Sequence, residues 1–456
     1  MSLTLAAWLV LFAVLALLAL SHRALWGFAL YGLSFFAHPP DWWWGKPIMG
    51  YRWNFSAALI FLVAVVLERA RQRHVGTASA GIASQQGVAL PPIEKFALLI
   101  VINASFVHWI LAGGQPVSFD RYMLLVKFTV LYFLLVWSVR DAKDLRFAVL
   151  VLVVGMAYIG YEATINDRGR FSGGRLEDIG APGADTANFL ASLSVTILPL
   201  AGAFILVGRR AYRWVSVVCA PFIFNVLLLC NSRGAFLAGL FGLGVMVLGA
   251  KGRQKKYALA GVVLAGLATL VLLKDPQIIH RFETIFVSSP DELDRSAASR
   301  LLFWKAALRM ISDHPLGAGG DAFAKVYGQR YLEDVGVYQA RAVHNGYLNE
   351  ACQWGIQGLA LRLAFIFAGV LGTLRARRYY HEVLGDPRMG FLGTCLISSM
   401  AALMVSAMFS NTLDKEWGVW IVALMTAYAR VVPQEAPATA PEDAEPALPP
   451  APRHVL

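Results

Sequence analysis

Long apolar runs recur along the chain, and their spacing predicts helices that cross a membrane. They lie at 3–20, 24–37, 55–67, 96–112, 122–139, 147–165, 187–207, 214–230, 234–250, 257–273, 346–371, 389–410 and 416–430. A helix crossing the hydrocarbon core needs about 20 apolar residues. The pattern therefore predicts about 12–13 transmembrane helices, with 24–37 and 416–430 the weakest. The runs follow one another without a linker, which predicts an all-α polytopic membrane protein built as one membrane domain.

One long polar stretch, 274–345, breaks the pattern. It opens Lys274-Asp275-Pro276, passes through the glycine-rich turn His314–Gly320 and ends on Arg341-Ala-Val-His344. Within it Leu301, Trp304, Leu308 and Ile311 recur at helical spacing. This predicts an amphipathic helix on the membrane surface or on the bundle, with Ser296 as its N-cap and Arg300 in its first turn. The chain thus divides into membrane helices over 1–273, the polar segment 274–345, membrane helices over 346–430 and a tail over 431–456. The tail is rich in Pro, Ala and Glu and has no apolar period, so it is expected to be disordered. The small polar run 77–86 reads as a flexible connection.

Composition agrees with a membrane location. The 456 residues are 57% hydrophobic and 15% charged, against about 25% charged in soluble domains. The first run, Leu3–Leu20, lacks a basic leader and a small-residue cleavage site, and reads as a span rather than a removed signal peptide. The net charge of +11 does not mark a nucleic-acid binder, because the basic residues gather in short alternate loops. These hold Arg69, Arg71 and Arg73; Arg140, Lys143 and Arg146; Arg209, Arg210 and Arg213; Lys251, Arg253, Lys255 and Lys256; Arg375, Arg377 and Arg378. Such loops face the cytoplasm. The polar stretch, in which Lys and Arg are balanced by Asp and Glu, then falls on the opposite side of the membrane. Cys219, Cys230, Cys352 and Cys395 are scattered in apolar segments with neither zinc-site nor disulfide-framework spacing, and read as buried small hydrophobes.

Several polar groups sit where chemistry is plausible. Trp42, Trp43 and Trp44 follow Pro39-Pro40-Asp41 as interfacial anchors or a sugar-stacking platform. In the loop 166–186, Arg168, Arg170 and Arg175 stand among glycines, either as a solvated turn-rich loop or as a cradle for an anionic headgroup. Asp185 or Thr186 is positioned to cap the next helix. Arg233, at a helix start between two spans, is either a snorkelling cation or a phosphate ligand. Arg300, in a first helical turn, opposes the helix dipole and calls for an anion. His344 stands where the polar stretch re-enters the membrane, near Arg341. If this segment is helical, Arg341, His344 and Tyr347 share a face, and His344 is either a packing residue or a general base.

Four short motifs in order, S-R-G-A-F-L at 232–237, S-R-L-L-F-W at 299–304, H-P-L-G-A-G-G-D-A-F at 314–323 and H-N-G-Y-L-N at 344–349, resemble the O-antigen ligase/polymerase superfamily. With W-G-F-A-L-Y…A-H-P-P at 26–40, the pattern is similar to the O-glycosylation ligases found beside exosortase systems. The resemblance covers roughly 1–430. It implies a metal-independent membrane glycosyltransferase of the GT-C type, needing no cofactor, whose donor is a glycan on polyprenyl (undecaprenyl) diphosphate. Arg233 and Arg300 match the family arginines that hold the pyrophosphate, and His344 matches the histidine that activates the acceptor hydroxyl. Arg341 is a further candidate for the pyrophosphate, with Arg168, Arg170, Arg175 and Tyr347 as accessory groups. The acceptor implied is a glycan, lipid A-core or a protein.

The chemistry agrees on its own terms. Breaking a sugar–phosphate bond builds negative charge on the leaving diphosphate, which needs guanidinium partners or a metal. The first outer loop, 38–54, offers only Asp41 as a carboxylate, which favours arginines. Two other functions fit the same composition: a polymerase extending lipid-linked repeats, and a flippase for the lipid-linked glycan. A flippase should carry polar groups along mid-membrane segments and internal repeats. Here, apart from Lys127, the polar groups gather at one face, which favours the enzyme.

Overall fold

The computed structural model describes residues 2–76, 91–272, 290–339 and 341–435. The connection 77–86, the first part of the polar stretch and the tail from 436 lie outside the described residues.

Each of the thirteen apolar runs falls on a helix. The first ten are α1 (Leu3–Ser21), α2 (Leu25–Phe36), α3 (Trp53–Gly76), α4 (Ile93–Phe106), α5 (Pro116–Ser138), α6 (Ala142–Ile165), α7 (Ala187–Val207), α8 (Arg210–Cys230), α9 (Arg233–Gly249) and α10 (Arg253–Leu272). The polar segment contributes α11 (Pro290–Asp313) and the short α12 (Gly328–Glu333). The chain then continues as α13 (Gly346–Glu382), α14 (Pro387–Ala407) and α15 (Glu416–Glu435). Among the described residues, eight helices are long and apolar enough to cross a membrane. The 12 residues of α2 reach only about 18 Å, short of the ~30 Å hydrocarbon core. The helices of the bundle are therefore more numerous than its full crossings. This is an all-α polytopic membrane protein.

Outward faces are apolar. Val10, Leu11, Val14 and Leu17 of α1 and Leu59, Val63 and Val66 of α3 are exposed, as lipid-facing positions should be. Inside the bundle, α14 packs on α7, α9 and α13, and α15 packs on α5 and α13. Small residues permit the close approach. A Cβ on Gly242 would stand 2.9 Å from Ala402 Cβ, and Ser398 Oγ donates to Gly242 O at 2.5 Å. All four cysteines are free and buried.

The one departure from helix in the loop 166–186 is a hairpin, β1 (Arg170–Ser172) antiparallel to β2 (Arg175–Glu177). Gly173 and Gly174 turn it at φ 56° and 69°, the double left-handed geometry that a two-residue hairpin requires. Thr186 caps α7, accepting from Phe189 N.

The glycine-rich turn at 314–320 proves to be a strap wedged into a broken helix. The long helix α13 is interrupted at Gly355, whose φ of 81° and ψ of 172° are far from helical. The break frees backbone groups that must be satisfied within the protein. Ala318 N donates to Cys352 O at 3.1 Å, Gly319 N to Gln353 O at 2.9 Å, and Ile356 N to Pro315 O at 3.0 Å. Asn103 Nδ2 reaches Trp354 O at 2.9 Å. The two backbones cross so closely that a Cβ on Gly317 would fall 2.5 Å from Gly355 N. Glu350 and Arg362, on either side of the break, form a buried pair at 2.9 Å.

Three local expectations change. The amphipathic helix begins at Pro290, so Ser296 lies inside it and Arg300 is well beyond its first turn. Its buried stripe is Phe303, Ala306, Ala307, Met310 and Ile311, while Leu301 and Leu308 are exposed. The stripe centres on the fully buried Ala306 and Ala307, where α11 packs against α13. Finally, Trp42 and Trp44 are buried in the bundle and only Trp43 is exposed, so one of the three tryptophans remains available at a surface.

Candidate active site

Two connections and one helix converge at the end of the bundle where α8 finishes. The first connection is the turn between α8 and α9. Asn231 closes α8 in the left-handed conformation, φ 45° and ψ 50°, which asparagine tolerates better than most residues. Its N–H reaches Leu228 O at 2.9 Å. Ser232 Oγ then donates to Asn188 Oδ1 at 3.0 Å, and Arg233 starts α9. Gly234 lets Phe409 lie against the turn, since a Cβ there would come within 2.7 Å of Phe409 Cβ. The reversal is thus pinned from both sides, and Arg233 is delivered at a fixed helix start.

The second connection is 341–345. His344 is not helical. It takes φ 54°, a conformation that costs a non-glycine residue free energy and that clusters at functional sites. Asn345 is the N-cap of α13, accepting from Tyr347 N at 3.0 Å and Leu348 N at 3.2 Å. Its own N–H donates to Asn411 Oδ1 at 3.1 Å. The preceding Val343 is fully buried in the small core formed by α11 and the strap. Between these two anchors the histidine has little freedom to relax. The supposed common helical face of Arg341, His344 and Tyr347 does not exist, because the helix starts at Gly346.

The helix α11 brings the third group. Phe303 lies with its ring 6.1 Å from that of His344, and Arg300 stands one turn earlier on the same helix. The electrostatics tie the set together. Burial, then the charges of Arg300 and Arg341, push the His344 pKa below its ordinary 6.5. Burial, then the charge of Arg233, lowers that of Arg300. Arg233, Arg300 and the 341–344 connection, far apart in the chain, therefore share one field, which favours the neutral form of the imidazole.

The remaining arginines behave differently. Arg168 lies over the Trp43 ring, 5.0 Å from its centroid. Arg170 pairs with Asp178 at 2.7 Å and Glu177 at 3.7 Å. Arg175 donates from Nε to Cys230 O at 3.1 Å and from Nη2 to Asn188 Oδ1 at 2.6 Å, which braces the turn that carries Arg233. Tyr347 gives its hydroxyl to Met404 O at 2.8 Å. These groups shape the site's walls. Asp41 accepts from or faces His38 Nδ1 at 2.8 Å.

Sequence reasoning passed over a charged belt near the same end. Asp321 holds Arg121 Nε at 2.8 Å and Lys325 Nζ at 2.9 Å. Burial works to raise the Asp321 pKa, but the Lys325 hydrogen bond and the Arg121 charge outweigh it and hold the group ionised. Asp185, Asp414 and Lys415 join the same field, and Lys415 Nζ lies 3.8 Å from the Phe189 ring centroid. The polar run N-T-L-D-K-E at 411–416, set between two apolar runs, was the available signal for Asn411, Asp414 and Lys415.

Residues 215–363 match the family model described as O-antigen ligase. That span contains Arg233, Arg300, Arg341 and His344, and also the strap and the break at Gly355. Over this segment the chain is similar to the O-antigen ligase family. A search of curated proteins finds no match. The matched segment coincides with the part of the fold in which helix starts, strap and amphipathic helix bring cations near His344.

Proposed function

We propose that the chain is a membrane glycosyltransferase that moves a glycan from polyprenyl diphosphate to an acceptor hydroxyl at the periplasmic face of a bacterial inner membrane. His344 takes the proton of the acceptor hydroxyl as general base. The hydroxyl oxygen attacks the anomeric carbon, the sugar–phosphate bond breaks, and the leaving lipid diphosphate takes the electron pair. Arg233 and Arg300 hold the charge that accumulates on it, and Arg341 adds to the field at His344. The acceptor is a glycan, lipid A-core or a protein.

One observation carries this reading. A histidine in the left-handed conformation has its charged form disfavoured by burial first and then by Arg300 and Arg341, cations suited to an anionic donor. A base must be unprotonated before the reaction and must not be drawn permanently into an ion pair; His344 meets both conditions. Guanidinium groups also fit a diphosphate through paired N–H donors. The O-antigen ligase match supports the reaction class.

Because arginines take the electrostatic role, transfer by the purified, detergent-solubilised protein should persist in excess chelator. Activity lost with chelator and restored by magnesium or manganese would overturn the assignment. Glycan analysis in a deletion strain separates ligase from polymerase. Ligase loss leaves long unattached chains, whereas single repeats would mean that the chain polymerises.

A further inference from the structure

A second cationic site lies at the opposite end of α8. A cavity of about 110 Å³ opens where α7 ends and α8 begins, against the start of α14 and a turn of α6. Arg146, Arg209 and Arg388 line it together with Asp386, Phe204 and Leu392. The 21 residues of α8 put it about 30 Å from the Arg233 turn.

The charges do not balance within the protein. Among the described residues, no carboxylate lies at ion-pair distance from Arg146, Arg209 or Arg388. Arg146 Nη1 rests 3.5 Å from the thioether of Met389. The carboxylate in the lining, Asp386, is engaged as the cap of α14, accepting from Arg388 N at 2.8 Å and Met389 N at 3.1 Å. Three guanidinium groups against the single carboxylate of Asp386 leave the cavity with an excess of positive charge that a bound anion offsets. The space is several times a water's ~30 Å³, enough for a tetrahedral oxyanion.

The surroundings indicate the depth. Trp214, one residue after Arg213 on α8, is 61% exposed, and Val217 and Val218 beyond it are exposed too. A tryptophan leading into a bare apolar face marks the membrane–water interface. The cavity therefore sits at headgroup level, with apolar wall on its membrane side.

We propose that this cavity binds the phosphate group of an anionic membrane lipid. Phosphate diesters present acceptor oxygens to several guanidinium groups at once, and an anionic leaflet supplies such groups at high local concentration. A free phosphate ion shares this chemistry, so the test has two arms. The full chain in neutral detergent is titrated with phosphatidylglycerol, with phosphatidylcholine, or with inorganic phosphate, and Tm is read for the parent chain and for R146Q, R209Q, R388Q and K255Q. Lys255 is an exposed lysine on α10 that serves as a control for diffuse charge.

Phosphatidylglycerol should raise Tm by roughly 2 °C or more beyond phosphatidylcholine. Each arginine substitution should weaken that response about tenfold in lipid concentration, while K255Q keeps it. R388Q removes an exposed side chain with no hydrogen bond of its own, and each variant is compared with its own lipid-free Tm, so a general loss of stability does not mimic the result. An equal rise with inorganic phosphate, lost in the same variants, would support the site with a soluble source. No difference between the two lipids together with no response to phosphate, or K255Q erasing the response as fully as R388Q, would overturn the proposal.

Discussion

Two sets of three arginines occupy the same end of the bundle, and they differ in what surrounds them. Arg168, Arg170 and Arg175, on or beside the hairpin, have an aromatic ring, two carboxylates, and a carbonyl with an amide. Arg300 instead feels the like charge of Arg233, and Arg300 and Arg341 both act on His344, while Arg341 also donates to Gln339 Oε1 at 2.7 Å. An arginine held by carboxylates, a carbonyl or an aromatic face, with no like charge beside it, gains little from an anionic ligand. One set beside further cations gains a great deal when a dianionic group arrives. The comparison therefore separates arginines that build the site from those that act in it.

The sharpest way to break that division is to remove members of each set and read donor affinity separately from stability. Arg300→Ala and Arg233→Ala should weaken donor binding by about 10–100-fold, since a charged hydrogen bond is worth about 1.5–3 kcal/mol. Lysine at either position should restore only part, because it lacks the planar fork. Arg175→Ala should leave the protein less stable by roughly 1–3 kcal/mol, through the Cys230 carbonyl losing its Arg175 donor and Asn188 Oδ1 keeping only that of Ser232. Arg170→Ala, at an exposed pair, should change stability by no more than about 1 kcal/mol. If Arg170→Ala weakened donor binding as much as Arg300→Ala, the two sets would not differ in kind.

A smaller effect sharpens the same contrast. The His344 pKa lies below 6.5 because of burial, then Arg300 and Arg341. As the unprotonated form is the base, kcat/KM should stay flat near neutral pH and fall only as pH drops through that lowered value. Arg341→Ala removes one repelling charge, so the fall should move to higher pH, towards 6.5. An unmoved profile would place Arg341 outside the site's field.

Helices were largely legible in the sequence, because crossing a membrane demands long apolar runs that nothing else in the chain imitates. Register within the polar segment was not. Leu301 and Leu308 suggested the buried stripe of α11, but the packed face is built on Ala306, Ala307 and Met310, and periodicity cannot tell which of two apolar stripes meets the core. The motifs at Arg233, Arg300 and His344 pointed to residues that the fold does bring into one field. The helical geometry inferred around His344 failed because the cap belongs to Asn345, anchored by Asn411 from 66 residues away. Arg121 with Asp321 and Glu350 with Arg362 were invisible for the same reason: a buried charge is recognisable only once its partner is known. The role of Gly317 and Gly355 emerged from the crossing of two backbones, which no local pattern encodes.

The central claim is that His344 acts as the base for the acceptor hydroxyl, not as a packing residue at a helix mouth. His344→Gln keeps the size and a hydrogen-bonding group but cannot take a proton at neutral pH. Transfer should be measured in the purified variant alongside donor binding and Tm. The account predicts a folded protein that binds donor nearly as the parent does and transfers about 10²–10⁴-fold more slowly. A variant that folds, binds donor and transfers at close to the parent rate would contradict it.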